Sequence, residues 1–170
     1  RRMAFLRRVT PSEVGSLVAN KEPVDPKTRE GAVRIVDDVK KNGKAAVVKY
    51  GLKFGDLKEG QPLLLGKAEL KAAFDGIPKE QQQLLIRTAR RIRKFAEAQR
   101  SSVMEVRVPI PGGWACQKVA AVEYAGCYAP GGRFPLPSSV LMTAVTAKAA
   151  GVQHVIVASP KPAEITKAAA

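Results

Sequence analysis

Pro130-Gly131-Gly132, followed closely by Arg133, Ser138 and Ser139, is the stretch of this 170-residue chain whose residue types could do chemistry. The two glycines let backbone come close to a ligand, and Ser138 or Ser139 could cap a following helix. The helix start would favour an anion such as a pyrophosphate or a carboxylate, with Arg133 adding a charge-assisted contact. Taken alone the signal is weak. A Gly-Gly pair serves any tight strand-to-helix connection, and the full G-x-G-x-x-G pattern is absent. Where a ribose-clamping acid would follow the next strand, the chain reads Ala158-Ser159-Pro160. Nucleotide binding and a purely structural turn both stay open on these residues.

The other candidates are few. Cys116, Cys127 and His154 are the only cysteines and histidine, too few for a structural zinc site, which takes four Cys or His ligands. Neither cysteine has a histidine base nearby in the sequence pattern, so both read as small buried residues and His154 as a structural strand residue. No catalytic and no metal-ligating residue is assigned in this chain. Arg87, Arg90, Arg91 and Lys94 form the densest positive patch. The patch reads as a solvated helix face next to Glu97 rather than a nucleic-acid contact, because an aromatic content of 5% provides few stacking platforms and no nucleic-acid motif accompanies it.

Composition bounds what can position these groups. With 45% apolar and 26% charged residues the chain is neither disordered nor collagen-like, and it has length for a substantial core. Lys and Arg outnumber Asp and Glu by 29 to 15, a formal charge of +14, so acidic partners enter consideration without the charge choosing a fold. No run approaches the 18 apolar residues of a membrane span; the longest, Ala144 to Val152, is interrupted by Thr146 and Lys148. The acid-free start Arg1 to Arg8 reads as a basic arm, with an organelle-targeting remnant as the alternative.

Along the chain, Thr10-Pro11 with Glu13 signals the start of a short helix carrying Val14, Leu17 and Val18. Asp25-Pro26 opens a second helix with the stripe Ala32, Ile35, Val36 and Val39, closed by Gly43, and another helix runs from Ala45 to about Gly55. Leu63-Leu64-Leu65 predicts a short strand, and Lys67 to Phe74 a helix. Pro78 starts a long helix that buries Leu85, Ala89, Ile92 and Ala96, with Phe95 at the margin. The period then changes: Met104 to Ile110, the turn Pro111-Gly112-Gly113 and the return Trp114 to Val122 predict a β-hairpin. Strand Ala125 to Tyr128, the Gly/Pro-rich loop, helix Ser138 to Ala150 closed by Gly151, and strand His154 to Ala158 make a βαβ unit with ligands at the strands' carboxyl ends. A last helix begins near Ala163. The expected class is α/β: a basic N-terminal arm with a short helix (1–27), a helical region (28–102), a hairpin (103–123), and the first βαβ unit of an incomplete Rossmann-like parallel sheet (124–170).

Gly126-Cys127-Tyr128-Ala129-Pro130-Gly131-Gly132-Arg133, with Pro137-Ser138-Ser139-Val140-Leu141-Met142 and Ala147-Lys148-Ala149-Ala150-Gly151-Val152, resembles the signature of the histidinol dehydrogenase family. The likeness extends upstream through Val39 to Val47 and Phe95-Ala96-Glu97-Ala98-Gln99, and covers approximately Arg29 to Pro162. The resemblance implies an NAD-dependent, zinc-containing homodimer of histidine biosynthesis that oxidises a primary alcohol, L-histidinol, through an aldehyde to a carboxylate. It also implies that Tyr128 contacts NAD, together with Gly131 and Gly132.

Several positions depart from that pattern. Ala96 stands where histidinol-specific members have His, and Thr146 where they have Pro; both resemble the sulfopropanediol dehydrogenase branch, while Pro137 to Met142 leans toward the histidinol branch. Family members run to more than twice this length, and by resemblance the zinc ligands and acid/base residues lie downstream of the first βαβ unit. The chain therefore reads as the N-terminal portion of a histidinol-oxidising enzyme, with a sulfopropanediol dehydrogenase-type enzyme, or a non-catalytic basic structural subunit of a larger assembly derived from this family, as the alternatives. Other copies or chains are expected to cover the open sheet edge, with an alcohol as the small-molecule substrate and no membrane. The expected location is cytoplasm or an organellar matrix, without secretion.

Overall fold

The computed structural model describes residues 9–18, 24–131 and 134–170; the basic arm Arg1 to Arg8, the side chains of Leu17 and Val18, and Gly132 and Arg133 lie outside the described residues. The chain forms two compact units, Arg1–Phe54 and Gly55–Ala170.

In the first unit, helix α1 (Pro11–Val18) starts as its sequence dictates. The Thr10 N–H donates to the Glu13 carboxylate at 2.8 Å and Pro11 occupies the first helical position, where no N–H is missed. Helix α2 (Pro26–Lys53) is capped by Asp25, which accepts from the Thr28 N–H at 3.0 Å. It is broken at Gly43, whose φ of 53° is open to glycine and strained for other residues. The expected stop at Gly43 is thus a kink with helix on both sides.

Four side chains brace that kink. Asp38, before it, accepts from Asn42 Nδ2 at 2.5 Å, Lys49 Nζ at 2.7 Å and Tyr50 Oη at 2.8 Å, the last two beyond the break. Its side chain is 19% exposed. The Lys49 ammonium first, then the Asn42 amide and the Tyr50 hydroxyl, hold its carboxyl well below the usual carboxylate range, and the same carboxylate pushes Lys49 and Tyr50 up. The expected core stripe is only partly realised: Ala32 and Val36 are exposed, Ile35 and Val39 half-buried, and Ala46 alone is fully buried. With α1 and α2 as its described elements, this unit has no second layer to cover the stripe.

In the second unit, α3 (Lys67–Gly76) begins where the Gly66 N–H meets the Glu69 carboxylate at 3.0 Å. Leu63 to Leu65 is not the predicted strand: it has no partner strand, and Leu64 is 73% exposed. An isolated apolar triplet cannot satisfy its backbone by pairing when nothing lies alongside. Helix α4 (Lys79–Ser101) buries Leu85 and Ala96, half-buries Ala89 and Ile92, and exposes Phe95. It also buries Gln82, whose Nε2 donates to the Ile77 carbonyl at 3.0 Å and ties α4 to the preceding turn. Ile77, Leu85 and Leu141 form the core, with Ile92, Val145 and Ile165 packed against it.

Strands β1 (Val106–Ile110) and β2 (Gly113–Gln117) pair antiparallel around Pro111-Gly112, with Val106 opposite Gln117. Proline followed by a glycine at φ 83° is the type II pattern. The return strand ends at Gln117, short of Val122, because β1 offers no partner beyond Val106. Both hairpin faces are exposed, so Cys116 is exposed too, contrary to the expectation that it is buried.

Strands β3 (Tyr124–Tyr128) and β4 (His154–Ala158) pair in parallel. Between them α5 (Pro137–Val140), a π-helical turn (Leu141–Val145) and α6 (Thr146–Ala149) run on as the crossover over residues 137–149. Its end is a Schellman motif: Gly151, at φ 90°, donates to the Lys148 carbonyl, and Val152 to that of Ala147. Helix α7 (Glu164–Ala168) follows β4.

Replacing Asp38 by Asn should lower the Tm at neutral pH, because three donors then share a weaker acceptor. A depressed folded-state pKa contributes stability above the unfolded value and loses it as pH falls below about 4. The wild-type advantage in far-UV circular dichroism melts should therefore hold near pH 7 and narrow progressively below pH ~4. A constant difference across that range would show that the carboxylate's charge is not what braces Gly43.

Candidate functional site

Parallel pairing brings the carboxyl ends of β3 and β4 side by side, with Tyr128 opposite Ala158. The Ala129 N–H donates to the Ala158 carbonyl at 2.9 Å, carrying the pairing one residue further and burying Ala129 completely. Along β3 the side chains alternate. Cys127 is buried, while Tyr124, Gly126 and Tyr128 share the opposite, exposed face. Tyr128 is 62% exposed at the strand's end. At the other end Tyr124 stacks on His154, ring centroids 4.6 Å apart, which leaves His154 a stacked strand residue.

Gly131 has a structural duty of its own. A Cβ at that position would overlap the carbonyl oxygen of Pro160, so the loops after β3 and β4 touch only because residue 131 has no side chain. Beside that crossing, the Ser159 Oγ is buried without a hydrogen-bond partner. Next along the chain, Lys161 sits at φ 43°, a conformation that non-glycine residues seldom adopt. The strand ends thus carry an exposed aromatic ring, a buried hydroxyl with no hydrogen-bond partner and closely approaching backbone. Tyr128 offers a planar face to a ligand, and among the described residues Tyr128, Gly131, Ser159, Pro160 and Lys161 none carries a carboxylate or an imidazole base.

Neither serine expected to cap the crossover helix does so. Leu136 takes the cap position without a side-chain hydrogen bond, because Pro137 occupies the first helical turn and draws Ser138 and Ser139 inside the helix. The π-helical turn gave no sequence signal beyond its threonines. Thr143 Oγ1 donates to the Ser139 carbonyl and Thr146 Oγ1 to that of Met142, each at 2.7 Å. Cys116 lies on the hairpin, Cys127 is buried on β3 and His154 is stacked on Tyr124; among the described residues no three Cys, His, Asp or Glu side chains come together as a metal site. These residues do not fit a catalytic zinc.

Gly131→Ala should cost roughly 1–3 kcal/mol, because the methyl group forces the two loops apart. In urea unfolding the midpoint should fall with the m-value unchanged. An unaltered midpoint would mean that the contact with Pro160 is not a constraint.

Comparison with known proteins places this arrangement. A family profile described as histidinol dehydrogenase matches residues 19–170. The chain is 35% identical over 164 residues to a histidinol dehydrogenase of Dechloromonas aromatica, covering 95% of this chain and 38% of that protein. It is 38% identical over 167 residues to one of Aromatoleum aromaticum, covering 94% and 38%. The crystal structure of histidinol dehydrogenase from Elizabethkingia anophelis superposes with a TM-score of 0.71 at 21% identity, covering 95% of this chain and 38% of that one, and so shares the fold. The chain therefore spans less than two fifths of the length of these relatives, and by the profile match over residues 19–170 it belongs to the histidinol dehydrogenase family.

Proposed function

We propose that the chain supplies the cofactor-facing part of an NAD-dependent enzyme that oxidises a primary alcohol, L-histidinol, to a carboxylate. The observation that carries this is Tyr128, standing exposed at the carboxyl end of β3 within the G-x-Y-x-P-G-G loop of a family member. Its ring suits a flat heterocycle. Gly131 keeps the backbone at that point thin, and by the family likeness Gly132 belongs to the same cofactor contact. NAD supplies the hydride acceptor. The residues of this chain bind and orient; the base and the zinc ligands would come from elsewhere in the longer enzyme.

A second reading, a sulfopropanediol-type substrate, draws support from residue 96. Ala96, buried on the inner face of α4, stands where the resemblance implies a histidine in the histidinol branch. Partners follow from the sheet. Parallel strands are ordinarily covered on both faces, yet Tyr124, Tyr128 and Ile156 leave one face of β3 and β4 exposed. Another copy, another chain or a further part of a longer polypeptide is proposed to lie there.

Titration of NAD into the protein tests the first reading. Tyr128→Ala should raise the Kd about tenfold, which is 1.4 kcal/mol of binding, with substrate affinity less affected. Unchanged NAD affinity would remove Tyr128 from the site, and a loss of stability without a cofactor effect would make it a strand-end filler. The purified 170-residue chain is expected to form no NADH catalytically with histidinol or with dihydroxypropanesulfonate, and to hold no stoichiometric zinc. Turnover or one zinc per chain would overturn the division of labour proposed above.

A further inference from the structure

Helix α4 carries seven of the chain's basic residues against two acidic ones, Glu80 and Glu97. Its inner face is fixed by Gln82, Leu85, Ala89, Ile92 and Ala96, so the helix cannot turn its charges inward. On the opposite side, i to i+4 neighbours form two adjoining rows: Arg87, Arg91 and Phe95 in one, Arg90 and Lys94 in the other. Four cations and an aromatic ring thus occupy about 12 Å of helix. All five residues are exposed, Phe95 at 67%. Among the described residues the ion pairs are Lys49 with Asp38, Lys71 with Asp75 and Lys167 with Glu164; none of the four α4 cations takes part, Glu97 notwithstanding.

We propose that this face of α4 binds the backbone of single-stranded nucleic acid, with Arg87, Arg90, Arg91 and Lys94 on phosphates and Phe95 stacked on a base. Three of the four cations are arginines, whose planar fork matches phosphate oxygens in pairs. A protein chain of net charge +14 draws a polyanion toward any such unpaired row. Phe95 changes how the patch reads, because an exposed ring within one helical turn of Arg91 is the stacking platform that composition did not promise. A lipid surface fits less well, since the apolar face of α4, which would have to insert, is already spent on the core formed with Ile77 and Leu141. The proposal does not rest on cofactor binding at Tyr128, which lies on a different element.

Fluorescence anisotropy with a labelled oligothymidylate of about 20 nucleotides tests it, using the whole chain over a series of salt concentrations. Four phosphate contacts predict a slope of log K against log salt that is about 3 less steep in the variant R87Q/R90Q/R91Q/K94Q, with affinity at low salt reduced at least about tenfold. Glutamine is a good helix former, so circular dichroism should show α4 intact in that variant. Phe95→Ala should weaken binding about tenfold at every salt concentration while leaving the slope unchanged. Absence of binding at low salt overturns the proposal, as does a quadruple variant that binds like wild type. Capture by phosphatidylserine vesicles that depends on the same four residues, with no oligonucleotide binding, would assign the face to a membrane and overturn it equally.

Discussion

The closure of Leu85 against Ile77 and Leu141 is the constraint from which the second unit follows. Leu85 belongs to α4, Ile77 to the turn before it, and Leu141 to the π-helical turn of the crossover, so one apolar contact orients a helix, its entry and the connection between two parallel strands. Gln82 adds direction to it. A buried amide that reaches the Ile77 carbonyl permits one rotation of α4 and penalises others, because a buried carbonyl left unpaired is costly. Once α4 is set, its arginines point outward by default.

The crossover carries that constraint to the strand ends. Val140 and Leu141 are buried, and the wider π-helical turn is accompanied by threonine hydroxyls bonded to carbonyls one turn back. At its far end Gly151 and Val152 terminate the helix and lead into β4, which aligns with β3 residue for residue. The loop crossing at Gly131 and Pro160 then closes the carboxyl edge. Tyr128 is exposed as a consequence of packing several residues away, and the same packing buries Cys127 on the other face of the strand.

The first unit is held differently. Among its described residues no second layer packs on the apolar stripe, and the polar brace of Asp38, Asn42, Lys49 and Tyr50 spans the break at Gly43. One carboxylate with three donors secures an angle between two helical segments that apolar contact within this unit leaves loosely defined.

Local chemistry was legible in the sequence. The Thr10 and Asp25 starts, the Gly151 stop, the inner face of α4, the Pro111-Gly112 turn and the span of β4 each depend on a few neighbouring residues, and the family likeness lay in a continuous loop motif. Where a partner far along the chain decides, the sequence was silent or misleading. Leu63 to Leu65 has strand composition and no strand beside it, and Cys116 has the profile of a buried residue on a hairpin whose faces are both exposed; the close approach of Gly131 to the Pro160 carbonyl left no local signal. Ser159 and Phe95 gained their interest only when folding buried one hydroxyl without a partner and left one ring in solvent. Charge, the family likeness, most elements and the caps at Thr10, Asp25 and Gly151 were readable from the chain alone, because each is set by residues within a turn or two. The tertiary structure decided exposure, close approach and satisfaction of polar groups, because each is a property of what residues distant in the chain bring alongside.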